Sequence, residues 1–127
     1  MLKKKERLSR HEFNRFFSIG KRFHSPSLML IYSPHATFHA SAVAPKKLAK
    51  TAVMRNKFRR RVYDVFERTH KATPLAGVFI CVAKEGAPQN TYETLTQELL
   101  TLIHKTKTLE LISKPTMVGF EMSSKVE

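Results

Sequence analysis

Hydrophobic positions recur along this chain at helical and strand spacings in turn, and the first segment has helical spacing. We predict a helix over residues 10–19, because Ser9 and Glu12 form a capping box and Gly20 follows as a terminating residue. The apolar face of this helix carries three aromatic residues, Phe13, Phe16 and Phe17. The chain therefore opens with an amphipathic helix that packs through aromatic side chains.

Three later runs have the spacing of strands. Residues 28–32 are continuously apolar, which indicates a strand covered on both faces. Residues 38–44 alternate, with Phe38 and three alanines on one face, which indicates a strand that another element packs against closely. Residues 78–83 form a further apolar run, which predicts a second buried strand.

Two more amphipathic helices complete the pattern. One begins at Thr51 or a neighbour, ends near His70 and carries the apolar stripe Phe58, Val62, Val65 and Phe66. The other follows a capping box formed by Asn90 and Glu93, and its apolar stripe consists of Tyr92, Leu95, Leu99, Leu102 and Ile103. The pattern weakens after about residue 106.

We predict the order αβββαβα, which has one strand more before the second helix than the two runs located above. This order indicates one α+β domain in which helices pack on a mixed sheet. The length of 127 residues fits a single domain. We assign residues 1–106 to this domain and residues 107–127 to a partly disordered C-terminal extension. With one cysteine and no apolar run of membrane-spanning or signal-peptide length, the chain is expected to be cytoplasmic.

The most informative feature of the composition is the excess of positive charge. The chain has 23 Lys and Arg residues against 10 Asp and Glu residues, a formal net charge of +13. Residues 1–71 hold 18 of the basic residues and four of the acidic ones. An excess of this size attracts polyanions, so the first half is expected to form the surface that binds nucleic acid.

The basic residues are densest in residues 46–61, where eight of sixteen are Lys or Arg and none is acidic. Like charges four residues apart on a helix repel, as in Arg55 with Arg59 and Lys57 with Arg61. A stripe of this kind is explained by phosphates lying between the cations. The alternative, a solvated charged face, normally mixes both signs. The predicted RNA-binding residues are Lys46, Lys47, Lys50, Arg55, Asn56, Lys57, Arg59, Arg60 and Arg61.

Other site chemistry is weakly represented. His35 and His39 have a four-residue spacing but flank a turn and a strand start, so no zinc site is expected. The first half has no acidic cluster for two magnesium ions, no local nucleophile triad and no glycine-rich phosphate loop. We therefore expect no catalytic residue, no metal ligand and no cofactor in this polypeptide.

The basic segment resembles the signature of a known family. Residues 44–61 are similar to the motif of the bacterial ribonuclease P protein component, in which a strand end and Lys46–Lys47 precede an Arg55–Asn56 pair on a basic helix. Upstream aromatic residues and the apolar strand at 28–32 also resemble the family, whereas Tyr63 stands where members are commonly basic. The similarity extends over about residues 7–105.

This resemblance implies a function and a chiral feature of the fold. It implies the protein subunit of an endoribonuclease that removes the 5′ leader of precursor tRNA, with catalysis and Mg²⁺ binding in the RNA subunit. It implies a left-handed β-α-β crossover, against the usual right-handed rule. The implied partners are one ribonuclease P RNA per chain and precursor tRNA, with no DNA and no membrane.

The resemblance also implies that the single-stranded leader lies in a cleft between the first helix and the sheet. Aromatic side chains that line a basic cleft suit unstacked bases, although packing in the core is the alternative for each of them. The candidate leader-binding residues are Phe13, Phe17, Lys21, Arg22, Tyr32 and Phe38. A ribosomal or other structural RNA-binding protein remains the alternative function, because it would have similar size and charge.

Overall fold

The structure is a computed structural model that describes residues 6–87 and 91–113, with side chains up to residue 107. Three helices and four strands lie in this part of the chain. In order they are α1 (Arg10–Ile19), β1 (Lys21–His24), β2 (Leu28–Ser33), β3 (Phe38–Val43), α2 (Ala52–Ala72), β4 (Gly77–Ala83) and α3 (Tyr92–Ser113). The predicted αβββαβα order is confirmed. Helix α3 continues past the predicted domain boundary at residue 106.

The four strands form one mixed sheet in the order β1-β2-β4-β3. Strand β2 is antiparallel to both β1 and β4, whereas β3 and β4 are parallel neighbours. Two parallel neighbours cannot be joined by a tight turn, so helix α2 makes the crossover between them. The mixed sheet predicted from the sequence is therefore present.

Helices α2 and α3 cover one face of the sheet, called here the inner face. The apolar stripes predicted for both helices are buried there, together with alternate residues of β2, β3 and β4. Strand β3 alternates as predicted, with Phe38, Ala40 and Ala42 buried on this face. The small alanine side chains let α2 lie close to the edge of the sheet.

Helix α1 packs on the opposite face, called the outer face, and covers only part of it. Phe16 lies against Ile31, Val78 and Ile80, and all four side chains are buried. The helix begins at the predicted capping box, in which Glu12 N donates to Ser9 Oγ at 3.2 Å and Ser9 N donates to Glu12 Oε1 at 3.2 Å. The local sequence therefore determines where this helix starts.

Gly20 ends α1, as predicted, but for a different reason from the one that the sequence suggested. Its backbone is extended, with φ −68° and ψ 154°, so no left-handed conformation requires glycine. A Cβ atom at this position would lie 2.3 Å from Ile31 Cγ2 and 2.8 Å from the Phe16 carbonyl oxygen. Glycine is needed here because the helix end passes so close to the sheet.

The capping box predicted at Asn90 falls outside the described residues. Within them, Thr91 Oγ1 accepts a hydrogen bond from Thr94 N at 3.2 Å, so Thr91 caps α3. No hydrophobic pattern predicted the short strand β1, because its four residues Lys21–His24 contain one hydrophobic side chain. These residues form a strand because they pair with β2.

A carboxylate on α3 joins the turn between β1 and β2 to the inner layer of helices. Glu98 Oε1 accepts from Ser25 Oγ at 2.6 Å, and Glu98 Oε2 accepts from Ser27 Oγ at 2.6 Å. Burial raises the pKa of Glu98, but the hydrogen bonds from the two serines outweigh burial and leave this pKa below its ordinary value. Lys84 Nζ donates to the Ser25 carbonyl oxygen at 2.9 Å and closes the network.

Candidate nucleic-acid interface

The basic segment leads from the end of β3 into the first turns of α2. Thr51 caps the helix, since its Oγ1 accepts a hydrogen bond from Met54 N at 3.2 Å. Arg55 Nη1 donates to the Ala49 carbonyl oxygen at 2.9 Å. Arg55, a predicted RNA contact, therefore also holds the preceding loop against the helix. Three exposed lysines project from this loop and its ends: Lys46, Lys47 and Lys50.

The remaining basic residues of α2 divide between two flanks of the helix. Asp64 accepts a hydrogen bond from Tyr92 of α3 and pairs with Arg68, so this side of α2 faces α3. Helical geometry places Lys57 and Arg61 near that side. Asn56, Arg59 and Arg60 line a groove on the second flank, which adjoins the first. Arg60 lies where the two flanks meet, because residues three and four apart on a helix are neighbours, as Arg60 is with Lys57 and with Asp64. The sequence predicted a basic helix, and the fold adds a groove to one part of its surface.

The groove on the second flank has a volume of about 330 Å³ and is called here the α2 groove. It is lined by Val53, Asn56, Arg59, Arg60 and Tyr63. Arg59 Nη2 donates to Asn56 Oδ1, which orients the amide. Val53 is 74% exposed, a high value for a large hydrophobic side chain. The groove therefore combines apolar walls with hydrogen-bond donors.

Tyr63 also lines a second cavity, of about 580 Å³, at the edge of β3. The other lining residues come from the segment before α1, from the first turn of α1 and from the outer face of β3: Arg7, Leu8, Ser9, Glu12, His39 and Ser41. Arg7 forms a parallel bridge with Ala40, which fixes this segment along the edge strand. Tyr63 therefore lies between the α2 groove and a cavity at the edge of the sheet.

Helix α1 leaves one row of the outer face half-exposed. Register places Met29 of β2 beside Val82 of β4, and Val82 beside Val43 of β3. All three are partly buried and pack against the cluster under α1, as do Phe13 and Phe17. We call this half-exposed row and the adjoining side of α1 the trough. It is a shallow apolar surface that runs across the strands.

The aromatic face of α1 is partly covered by contacts within the protein. Phe13 and Phe17 pack together with ring centroids 5.5 Å apart. The Arg22 guanidinium lies 5.3 Å from the centroid of the Phe17 ring, and its Nη2 donates to the Phe17 carbonyl oxygen at 3.1 Å. A nucleobase approaching Phe17 from this side would therefore meet the guanidinium of Arg22 first.

Three of the candidate leader residues lie on the inner face and not in the trough. Tyr32 and Phe38 are each 5% exposed and belong to the core under α2 and α3, so core packing is the correct interpretation for both. Phe38 stacks on His70 at 4.4 Å. Lys21 pairs in register with Tyr32, so its side chain leaves the sheet on the face opposite to Arg22. Successive side chains of a strand point to opposite faces, so Lys21 and its neighbour Arg22 lie on different faces of the sheet.

The structure adds a polar cluster that the sequence did not predict. Thr37 Oγ1 lies 2.8 Å from His39 Nε2 and 3.2 Å from His35 Nδ1. Among the described residues, His39 Nδ1 has no hydrogen-bond partner. Glu12 lies nearby, and its pKa is lowered chiefly by the hydrogen bond from the Ser9 backbone. The alternation of β3 was the available signal, because it already placed His39 and Ser41 on the less buried face.

In the part of the chain that the structure describes, no three His, Cys, Asp or Glu side chains lie close enough to hold a metal ion. The same part contains no helix that is long and apolar enough to cross a bilayer. The groups described at the site are cations, an amide and aromatic rings, which are groups that contact phosphates and bases.

The comparisons with known proteins agree on one family. A sequence model of the Ribonuclease P family matches residues 2–107. The ribonuclease P protein component of Nitratiruptor sp. is 29% identical over 99 residues, which cover 78% of this chain and 89% of the relative. The ribonuclease P protein component of Aliivibrio fischeri is 30% identical over 100 residues, with coverage of 77% and 85%.

Solved structures show the same fold. The RNase P protein of Staphylococcus aureus superposes with a TM-score of 0.71 at 24% identity, over 80% of this chain and 95% of that chain. The RNase P protein of Thermotoga maritima gives a TM-score of 0.70 at 21% identity, over 79% of this chain and 96% of that chain. At these identities the likeness concerns the fold alone.

The fold and the surface define an α+β RNA-binding protein with a basic helix beside a partly uncovered sheet. Its basic half fits a subunit that binds RNA. With the family model matching most of its length, the chain belongs to the ribonuclease P protein family, the protein component of a tRNA-processing ribonuclease.

Proposed function

We propose that this protein binds the ribonuclease P RNA through the basic segment and the 5′ leader of precursor tRNA through the trough. The observation that carries the proposal is that Tyr63 lines both the α2 groove and the cavity at the edge of β3. The lining of this cavity includes Ser41, which lies two residues before the trough residue Val43 on the same face of the strand. A subunit that binds a polyanionic ribozyme and its polyanionic substrate together must screen their repulsion where they meet.

The RNA subunit is assigned to the loop before α2 and to the α2 groove. Lys46, Lys47 and Lys50 are exposed, and Arg60 is exposed beside them on the helix. Exposed cations contact phosphates without first breaking an internal interaction. Arg55 and Asn56 already have partners within the chain. Arg55 holds the loop by donating to the Ala49 carbonyl oxygen, and Asn56 orients Arg59 by accepting its hydrogen bond.

The leader is assigned to the trough, because it is the part of the outer face that α1 leaves half-exposed. Its floor of Met29, Val43 and Val82 suits the apolar faces of unpaired bases. Arg22 supplies a cation at the β1 side, and Lys46 follows β3 at the other. Contacts here would favour the precursor over mature tRNA, because only the precursor has a leader.

Catalysis is proposed to reside in the RNA subunit, which would also hold the catalytic Mg²⁺. Two of the acidic side chains near the basic half, Glu12 and Asp64, are engaged in a capping box and in a pair with Tyr92. A cytoplasmic complex of one protein and one RNA, without DNA, fits this division of roles. Purified protein with Mg²⁺ and precursor tRNA should release no leader, and clean leader removal without RNA would disprove the division.

The RNA-binding assignment is tested by the salt dependence of affinity for the RNA subunit. Loss of one phosphate contact makes the slope of log K against log salt less steep by about 0.7–0.9. We expect this change for Lys47→Gln, which removes an exposed cation from the loop before α2. The matched control is Lys71→Gln, an exposed cation at the far end of α2. Equal slopes for the two variants would refute the assignment.

The leader assignment is tested by substrate length in the reconstituted holoenzyme. Precursors with a leader of several nucleotides and with a single-nucleotide leader are compared for wild type and for Val82→Glu, which places a negative charge in the trough. We expect weaker binding of the long leader only, because a carboxylate repels phosphates. Equal losses on both substrates would contradict a leader role for the trough.

A further inference from the structure

We propose that the α2 groove binds one unstacked guanine base of the RNA that the basic segment contacts. The inference rests on the proposed RNA-binding function and adds a base-specific site to it. The groove lies along a single stripe of α2, in which Val53, Asn56, Arg60 and Tyr63 follow one another at intervals of three, four and three residues.

The two ends of the groove are apolar. Val53 is 74% exposed at one end, and the half-buried Tyr63 packs against the inner core at the other. Tyr63 is thus held by the core and at the same time lines the groove and the neighbouring cavity. A ring fixed in this way is a platform on which a base can stack, and stacking is how proteins hold unpaired bases.

The polar groups between these ends are donors. A guanidinium can only donate hydrogen bonds, so the bond from Arg59 Nη2 to Asn56 Oδ1 orients the amide oxygen towards Arg59. The Asn56 amide nitrogen then faces the other way and presents its N–H groups. Arg60 is exposed and adds further N–H donors on the same stripe. The groove consequently favours a base edge that carries acceptors.

The donor pattern favours one base on the edge that faces the major groove of a duplex. On this edge guanine presents two adjacent acceptors, N7 and O6, adenine presents N7 beside an N6 donor, cytosine presents an N4 donor and uracil presents the single acceptor O4. Asn56 and Arg60 together match the guanine edge, and they leave the adenine N6 group without an acceptor. The guanine belongs either to the ribonuclease P RNA or to the precursor tRNA, and both sources offer the same chemistry.

The experiment compares Tyr63→Leu, Tyr63→Phe and Val53→Ser, each as full-length protein with a melting curve. Affinity for the RNA subunit and for precursor tRNA in the holoenzyme is measured across a salt series. Tyr63→Leu should weaken one of these affinities by about 5- to 150-fold, with the salt slope unchanged, because stacking releases no counterions. Tyr63→Phe keeps an aromatic ring and should retain affinity close to wild type.

Chemical probing identifies the base and its source. Dimethyl sulfate methylates guanine N7, so one guanine should be protected by wild type and by Tyr63→Phe, and exposed with Tyr63→Leu. Probing the RNA subunit alone with protein, and then the holoenzyme with precursor, shows which RNA carries it. Replacing that guanine with 7-deazaguanine should weaken wild-type binding about as much as Tyr63→Leu does.

Several outcomes would overturn the proposal. These are unchanged affinity in both Tyr63→Leu and Val53→Ser, protection of an adenine in place of a guanine, or no protection that depends on Tyr63. Val53 is exposed, so Val53→Ser decides the matter if Tyr63→Leu fails to fold. Failure of the broader RNA-binding assignment is distinguishable, because it would appear as an unchanged salt slope in Lys47→Gln, a variant of an exposed loop cation that does not line the groove.

Discussion

Replacing Gly20 with alanine tests how closely α1 is packed on the sheet. The backbone at Gly20 is extended, so alanine can adopt it and only steric overlap opposes the change. The new Cβ would lie 2.3 Å from Ile31 Cγ2 and 2.8 Å from the Phe16 carbonyl oxygen, where carbon contacts are normally about 3.5–4.0 Å. Ile31 is 1% exposed and cannot turn aside, so the end of α1 must move away from the sheet by about 1 Å.

The energetic cost follows from two opposing effects. Overpacking of this kind costs about 1–3 kcal/mol, whereas restricting the unfolded chain by a glycine-to-alanine change returns about 0.4–1 kcal/mol. We therefore expect Gly20→Ala to lower the free energy of unfolding by about 1–2 kcal/mol, measured by urea denaturation. The same displacement widens the trough, so affinity for a long-leader precursor should fall more than affinity for a one-nucleotide leader.

Gly86→Ala is the matched control. Its φ is +89°, and no atom lies within 4 Å of the Cβ position, so backbone strain alone should cost about 1–2 kcal/mol. Leader binding should be unaffected, because the change moves no helix. The reasoning would be refuted if Gly20→Ala were as stable as wild type, or if it altered leader discrimination no more than Gly86→Ala does.

Three further predictions concern single side chains. The folded-state pKa of Glu98 is lowered, so its ionised form stabilises the fold above the unfolded pKa of about 4.3 and ceases to do so as pH falls through the folded value. Urea denaturation from pH 7 to pH 3 should therefore show Glu98→Gln less stable than wild type only at the higher pH values. Burial raises the pKa of the Cys81 thiol, so iodoacetamide should label it no faster than the protein unfolds, and rapid native labelling would contradict its burial. Arg22→Gln should weaken long-leader binding, whereas Arg15→Gln, whose guanidinium lies 5.3 Å from the Phe16 ring, should not; equal effects would exclude a special role for Arg22.

Local periodicity accounts for the parts of the fold that the sequence predicted well. The stripe at Phe58, Val62, Val65 and Phe66 has helical spacing, and α2 buries all four side chains. The alternation in β3 likewise predicted its buried face. Each of these patterns repeats within one element, so it can be recognised without knowing what the element packs against.

The candidate site depended on information that no single element contains. In the sequence, Tyr32 and Phe38 are leader-binding candidates of the same kind as Phe17. In the structure, Tyr32 and Phe38 lie on the inner face with α2 and α3. A strand pattern tells which residues share a face, but it does not tell which face carries α1. The excess of cations in residues 46–61 was evident from composition, and their division between two flanks of α2 was not.

By itself, the sequence of this protein determined the order of its elements, the buried stripe of each helix and the concentration of positive charge in the first half. Those properties follow from side-chain chemistry and from the 3.6- and 2-residue repeats of helix and strand. The packing of the elements in three dimensions establishes that α1 leaves Met29, Val43 and Val82 half-exposed, and that Tyr63 lines both the α2 groove and the cavity at the edge of β3. These facts depend on how distant elements pack together, and that packing is set by the whole core and by no local pattern.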